Sequence, residues 1–324
     1  VVATIDDGWE VVTQKSNNFF AGDLCVYFEI DSFIRVHPLF EFLRPSSFKS
    51  TRHLGDGFRI KTIRLRGQLS QGLIVPLSDI RENFPDVIAE VYGDDLTESL
   101  GVQKYERSLS LEFNGLARGS FPAFIPKTDQ ERIQNVYSKL AKYSMGPFEV
   151  SIKLDGTSCT AYYYADNVGV CSRNLDLLES DSTLWKVVRK SGLLEALGTI
   201  GRDIAVQGEV MGPGIQGNRE KLSDHELYVF DIWDISTQSY LDAVSRYSFM
   251  ALLEERGAAM RHVPILHFHQ YLSSYRDHQS FLDEADSTVS ISHPVAEGLV
   301  FKSIDCPSQS FKVISNKFLL GEGE

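Results

Sequence analysis

Apolar residues follow two different periods along this chain. Over residues 1–115 they come in short runs, Trp9–Thr13, Leu24–Glu29, Phe58–Leu65 and Gly72–Pro76, each bounded by Gly, Asp, Asn or Pro. Short runs of this kind between turn residues predict short strands. Glycines at 8, 22, 55, 57, 67 and 72 punctuate them, which predicts a small barrel or sandwich. Ser78–Glu90 reads as a short helix or a loop. Gly115–Pro126, with two prolines, reads as the linker between a domain over 1–120 and another over 121–324.

The second region mixes periods. Thr128 and Glu131 have the spacing of a capping box, and Ile133, Val136, Tyr137 and Leu140 follow at helical spacing, so a helix is expected there. Strands are expected around Phe148–Leu154, Ser158–Tyr164, Val168–Ser172, Ile204–Met211, Leu227–Ile235, Gly298–Ser303 and Ser310–Ser315. Helices are expected over Ser182–Leu197, near 244–256 and near 277–285. The fold class is therefore α+β: an N-terminal β-barrel domain, then a domain of mixed helices and long antiparallel strands.

Composition narrows the class. The chain has 324 residues, 43% hydrophobic and 23% charged, enough for two globular domains. No apolar run reaches the 18 or so residues that cross a bilayer. The four cysteines form no C-x-x-C pair, which fits a reducing, intracellular and cytoplasmic setting. The chain opens at Val1 in mid-pattern, which reads as a truncated start and leaves a targeting segment open.

The net charge of −12 argues against a protein that coats nucleic acid, but charge can be local. Between Lys49 and Arg66 stand Lys49, Arg52, Arg59, Lys61, Arg64 and Arg66 against one acid, Asp56. A run like this is commonly a solvated face. Here Arg59, Lys61 and Arg64 interleave with Phe58, Ile60, Ile63 and Leu65, which would put cations on one strand face, where a phosphate backbone could lie.

The candidate chemistry begins at Lys153. It stands two residues before Asp155 and three before Gly156, straight after an apolar run. A lysine amine so placed could attack the α-phosphate of a nucleotide; the plain alternative is a strand ending in a solvated Asp-Gly turn. The residues that follow favour chemistry. Arg173 ends a strand, Glu209 lies between Val206 and Val210 where a buried carboxylate needs a partner, and Phe230 sits in an apolar strand. Glu297 and Lys302 stand five apart, and Lys312 lies in the last strand. Taken singly, Asp155 and Glu297 could be turn acids and Phe230 a core aromatic.

This ordered set resembles the covalent nucleotidyltransferase superfamily of ligases and mRNA-capping enzymes. Pro126 to Asn135 and the phrase Gly212 to Asn218 are similar to the ATP-dependent RNA ligases that repair nicks. Gly22 to Phe33 and Arg66 to Pro76 are similar to the group typified by the Deinococcus and Naegleria RNA ligases, which carry an OB domain before the catalytic one. The resemblance covers essentially the whole chain. It implies an OB-like barrel followed by an adenylation domain of the ATP-grasp-like DNA/RNA ligase fold.

The resemblance also implies the roles. Lys153 would form a lysyl-AMP from ATP, assisted by Lys302 and Lys312 as cations, because a free amine is protonated at neutral pH. Asp155, Glu209 and Glu297 would serve Mg²⁺ or Mn²⁺. Ile152, Ser158, Arg173, Glu209, Phe230 and Glu297 would contact the nucleotide, with Phe230 stacked on adenine. The partner would be RNA with 3′-OH and 5′-phosphate ends, a nicked duplex in particular, bound by a monomer. The family's final Lys-x-Lys is broken here, since Ile314 follows Lys312 at the second position and Lys317 lies further on.

Other signals carry less. Gly212, Gly214 and Gly217 match a dinucleotide fingerprint by count, but no apolar helical stripe follows, so a loop is expected. His267 and His269 alternate as on a strand face. Two rivals remain: a GTP-using capping enzyme or a DNA ligase, which place an OB domain after the catalytic one where this chain ends soon after Lys317, and a non-catalytic nucleic-acid-binding protein with a decayed ligase domain.

Overall fold

The computed structural model describes residues 1–5, 8–89, 91–105, 115–143 and 145–321. It divides into two compact units, Val1–Ser108 and Leu109–Glu324.

The first unit is a set of short antiparallel pairs around one core. Cys25–Phe28 pairs with Leu73–Pro76, Thr62–Leu65 with Gln68–Gln71, and Val2–Ile5 with Trp9–Val12. Gly55–Arg59 lies between Phe48–Thr51 and Ser32–Arg35. Val26, Phe28, Ile34, Phe40, Phe58, Ile60, Val75 and Ile80 are buried together. The expected strand Phe58–Leu65 is in fact two, in different sheets. The chain turns at Ile60, whose N–H and C=O bond to Ser32 and Asp31 rather than to a continuing ladder. The short helix is Leu77–Asn83; Glu90, the end of the expected segment, lies outside the described residues.

The second unit holds two sheets. The larger runs in the order Ala117–Ser120, Leu175–Leu177, Asn167–Cys171, Thr157–Tyr164, Ile204–Met211, Glu226–Asp234, Ser239–Tyr240, with Arg261–His262 added to Glu226–Asp234. The smaller runs Glu131–Arg132, Ser310–Ile314, Gly298–Ser303, Phe148–Lys153, Ile265–Gln270. Pairing is antiparallel except at the two-residue strands Glu131–Arg132 and Arg261–His262. Helices Thr183–Lys190, Leu193–Ile200 and Ala243–Glu255 bury Leu184, Val188, Leu197 and Leu253 against the larger sheet. Helix His278–Ser287 buries Phe281 and Leu282 against Phe148, Phe301 and Phe311 of the smaller one.

Three expectations change here. The stretch 115–126 is not a linker: Ala117–Ser120 is an edge strand of the larger sheet, and Trp233 donates from Nε1 to the carbonyl of Phe124. The capping box at Thr128 does not form. Thr128 bonds across to Ser158 (Oγ1 to Oγ, 3.1 Å), Glu131 joins a strand, and the helix starts only at Ile133, as one α-turn to Val136 continued by a 3₁₀ helix over Tyr137–Lys142. The helix expected over Ser182–Leu197 is two helices, broken at Ser191 and Gly192.

Candidate active site

Lys153 is the last residue of a strand whose buried half, Phe148 to Val150, anchors it in the smaller sheet. The chain then crosses to the larger sheet in three residues, Leu154, Asp155 and Gly156, and resumes as Thr157–Tyr164. Lys153 therefore lies at the seam between two sheets. Register brings the acids to it: Lys153 pairs with Gly298, next to Glu297, while Ser158 pairs with Glu209. Two glycines make this possible. A Cβ at Gly156 would lie 2.5 Å from the carbonyl of Val210 and 2.8 Å from Glu209 Cγ. At Gly298 it would lie 2.1 Å from the carbonyl of Val313. Any side chain at either position would push apart the strands that carry the acids.

The seam is crowded with charge. Lys153 Nζ donates to Glu297 Oε2 at 2.8 Å. Burial works against the Lys153 ammonium, yet Glu297, Glu209 and Asp155 together outweigh it and hold the group above the ordinary amine value. Glu209 is pushed up to about 8, chiefly by burial; Lys153 opposes this, while Glu297 and Asp155 add to it. Lys312 is pulled down to about 8 by burial first and then by the charges of Lys153 and Arg132. The site thus holds more carboxylates than it can comfortably keep ionised. That charge surplus suits a divalent cation. Among the described residues no set of three His, Cys, Asp or Glu closes into a metal cage. The donors therefore fit an ion that keeps waters and phosphate oxygens in its shell, as Mg²⁺ does.

Beside the charges is a small apolar wall: Leu154, Met211, Tyr228 and Val263 buried, with Ile152, Leu222 and Phe230 partly buried against them. Phe230 owes its place to an irregular register. Gln207 pairs with Asp231 and Gly208 with Val229, so Phe230 is the extra, unpaired residue of a bulge. Bulges re-aim side chains, and they recur beside active sites.

The remaining predicted residues divide. Ser158 faces Thr128, and Arg173 is tied to Asp129 by an ion pair of 2.6 Å. Lys302 does not join the seam. It is buried, ion-paired to Asp231 and donates to the carbonyl of Phe230 at 3.0 Å. The charges it feels are Asp231, Arg246 and Glu149, not Lys153. Ile314 is core, and Lys317 is exposed on the final helical turn. Sequence reasoning passed over Arg132, which pairs in register with Lys312 and was hidden by the capping-box reading. It also passed over Arg219, which approaches Asp155 at 4.0 Å; the non-helical loop after Gly212 was its only signal.

In the first unit, Lys49, Arg52, Lys61, Arg64 and Arg66 are exposed. Arg59 is not part of a free basic face: it pairs with Asp31 at 2.7 Å and lies 4.4 Å over the Tyr105 ring. The split of the expected strand at Ile60 is the cause. His267 and His269 do lie on a strand, Ile265–Gln270, where His267 bonds Glu284.

Comparison with known proteins gives a consistent result. A family model described as RNA ligase matches residues 146–314, and an OB-fold domain model matches residues 1–77. A search among curated proteins gives no match. Among solved structures, Naegleria gruberi RNA ligase with PPi is 41% identical at a TM-score of 0.87, covering 97% of this chain and 90% of that one. A lysine-to-alanine variant of the same ligase with ATP and Mn is also 41% identical, with a TM-score of 0.87 and 97% and 91% coverage. A lysine-to-methionine variant with AMP and Mn matches at 41% identity, TM-score 0.87, covering 97% and 90%. With a model matched over half its length and relatives of this identity over nearly all of it, the chain belongs to the RNA ligase family, with an N-terminal OB fold before the ligase domain.

Proposed function

We propose that this ATP-dependent RNA ligase joins 3′-OH and 5′-phosphate ends, in nicked duplexes in particular, with Lys153 as its nucleophile. The observation that carries the assignment is the Lys153–Glu297 pair at the sheet seam, with Asp155 and Glu209 around it. Lys153 Nζ attacks the α-phosphorus of ATP; the N–P bond forms, the bond to the bridging oxygen breaks, and pyrophosphate leaves. The ammonium must first lose a proton, and the 2.8 Å hydrogen bond to Glu297 is the path for it. AMP then passes to the RNA 5′-phosphate, freeing Lys153, and the 3′-OH displaces AMP as the phosphodiester forms.

Asp155, Glu209 and Glu297 would hold the divalent cation, which when bound supplies positive charge against the carboxylates and the reacting phosphates. Lys312, with Arg132 beside it in register, supports a role on the departing pyrophosphate. Ile152 and Phe230, both partly buried on the apolar wall, suit the flat faces of a base. Arg173 and Ser158 stand at the strand end where ribose or a 5′-phosphate would lie. Lys49, Arg52, Lys61, Arg64 and Arg66 fit phosphate contacts on the OB domain. The two compact units, Val1–Ser108 and Leu109–Glu324, are proposed as the two functional domains in place of the expected break at 120, because Ala117–Ser120 belongs to the larger sheet.

The test is labelling of the protein with α-³²P-ATP and Mg²⁺, followed by sealing of a nicked duplex with ribose or deoxyribose at the 3′-OH. The wild-type chain is expected to take label and Lys153→Ala to take none. Equal labelling of the two would remove Lys153 as the nucleophile.

A further inference from the structure

Arg219 stands partly buried in a loop that no role above requires. It follows the one-turn helix Gln216–Asn218 in the segment after Glu209, and its side chain is only 11% exposed. Three different stretches of chain converge on its guanidinium. Nη1 lies 4.0 Å from Asp155 Oδ2. Nη2 donates to His293 Nδ1 at 3.1 Å and to the carbonyl of Val295 at 3.3 Å. The guanidinium carbon sits 4.7 Å over the ring of Phe318. Its buried Nε has no hydrogen-bond partner among the described residues.

The next residue completes the picture. Glu220 Oε2 accepts from the backbone N–H of Ser292 at 2.6 Å and of His293 at 3.2 Å, and its own carbonyl accepts from Ser292 Oγ at 2.7 Å. Arg219 and Glu220 therefore fasten the loop after Glu209 onto residues 292–295. That segment leads directly into Glu297, through Ala296, which is fully buried and bonded to the carbonyl of Thr288. Glu209, Asp155 and Glu297 come from three places in the chain. Arg219 approaches the second at 4.0 Å and, with Glu220, braces the approaches to the first and third.

We propose that Arg219, braced by Glu220, is a positioning residue for the carboxylate edge of the adenylation site, setting where Asp155 and Glu297 stand when a divalent cation and ATP bind. The guanidinium sets positive charge 4.0 Å from Asp155, and its other arm holds the 292–295 segment through His293 and Val295. A lysine could supply the charge but not the bidentate reach or the flat cation over Phe318. This inference rests on the ligase reading of the seam.

The test uses the full-length protein as Arg219→Ala, Arg219→Lys and Glu220→Gln, each first checked by thermal melting. Self-adenylation is measured in single turnover across a Mg²⁺ titration. Mn²⁺ binding is measured separately by electron paramagnetic resonance with each change placed in a Lys153→Met background, which needs no turnover. We expect Arg219→Ala to raise the half-saturating Mg²⁺ and the Mn²⁺ dissociation constant about tenfold, with the rate at saturating metal within about threefold of wild type. Arg219→Lys recovers part of the shift, and Glu220→Gln gives a smaller shift in the same direction. Metal dependence equal to wild type in a folded Arg219→Ala protein would overturn the proposal, as would a fall in rate with no change in either metal titration. If Arg219→Ala does not fold, Arg219→Lys and Glu220→Gln carry the same test. A wild-type protein that takes no label would sink the ligase reading, whereas the Mn²⁺ titrations would still decide this one.

Discussion

Two lysines of one five-stranded sheet make the instructive comparison. Lys153 and Lys302 lie on adjacent strands, and each faces a carboxylate, Glu297 and Asp231 respectively. Their charge states move in opposite directions. At the seam three acids surround Lys153 and carry it above the ordinary amine value despite burial. Lys302 is lowered: burial comes first, Asp231 opposes it, and Arg246 adds a second positive charge nearby. The seam is an unbalanced cluster, partly open, with Lys153's side chain 25% exposed. The region behind the sheet is a closed network in which Arg246 also pairs with Glu149 and bonds His262. Surplus charge that a ligand can relieve marks chemistry, and charge already paired inside marks structure.

The comparison breaks most sharply by exchanging each lysine for methionine. Lys153→Met should lower self-adenylation on the order of 10⁴-fold or more, since the proposed nucleophile is gone, while circular dichroism and the melting transition stay native. Lys302→Met should do the reverse. It leaves Asp231 buried without its partner, a loss of about 3–5 kcal/mol in urea unfolding, and Asp231→Asn in the same chain should restore most of it. If Lys302→Met left stability unchanged and abolished labelling, the two lysines would not be different in kind.

Next in size is a pH effect at Glu209. Its folded pKa of about 8 exceeds its unfolded value, so its contribution is present below the unfolded value and is lost as pH rises through about 8. Glu209→Gln should therefore stabilise the metal-free protein at pH 8.5 by roughly 1–3 kcal/mol and have little effect near pH 4. Thermal melts of both proteins across that range check it. A destabilised variant at pH 8.5 would mean that Glu209 is held ionised by the seam.

Lys312 gives a smaller shift. With its ammonium near a pKa of about 8, pyrophosphate binding to the unadenylated wild-type protein should weaken about tenfold between pH 7 and pH 9 as that charge is lost. Calorimetry reads this directly, and a flat profile would return Lys312 to an ordinary lysine. The smallest effect concerns the first unit. Arg59→Ala should cost about 0.5–1 kcal/mol of stability through Asp31, leaving the salt dependence of RNA binding unchanged. Arg64→Ala or Arg66→Ala should reduce the slope of log K against log salt by about one.

Much of the catalytic unit was legible because its signals are local. The strand Ile204–Met211 stands where the alternation and apolar run put it, as do Phe148–Lys153 and Gly298–Ser303. Lys153, Asp155 and Gly156 are neighbours in sequence, so their spacing alone suggests a strand end with a reactive edge. Phe230 lay in a predicted strand, yet its bulge depends on the register against Gln207 and Gly208, which no local pattern encodes. Thr128 and Glu131 have the spacing of a helix start, but pairing of Glu131 with the last strand overrode local preference. The chain turn at Ile60 likewise turned one basic strand into two elements and gave Arg59 to Asp31.

The sequence by itself determined the fold class, because periodicity acts over a few residues, and the family, through a resemblance that spans essentially the whole chain. The tertiary structure alone decided which charges meet. Lys153 and Glu297 lie 144 positions apart and Lys302 and Asp231 lie 71 apart. Arg219 reaches both Asp155 and a segment more than 70 positions further along. Electrostatic partnership falls off over a few ångströms of space, whatever the distance along the chain, so it becomes visible only once the two sheets have met.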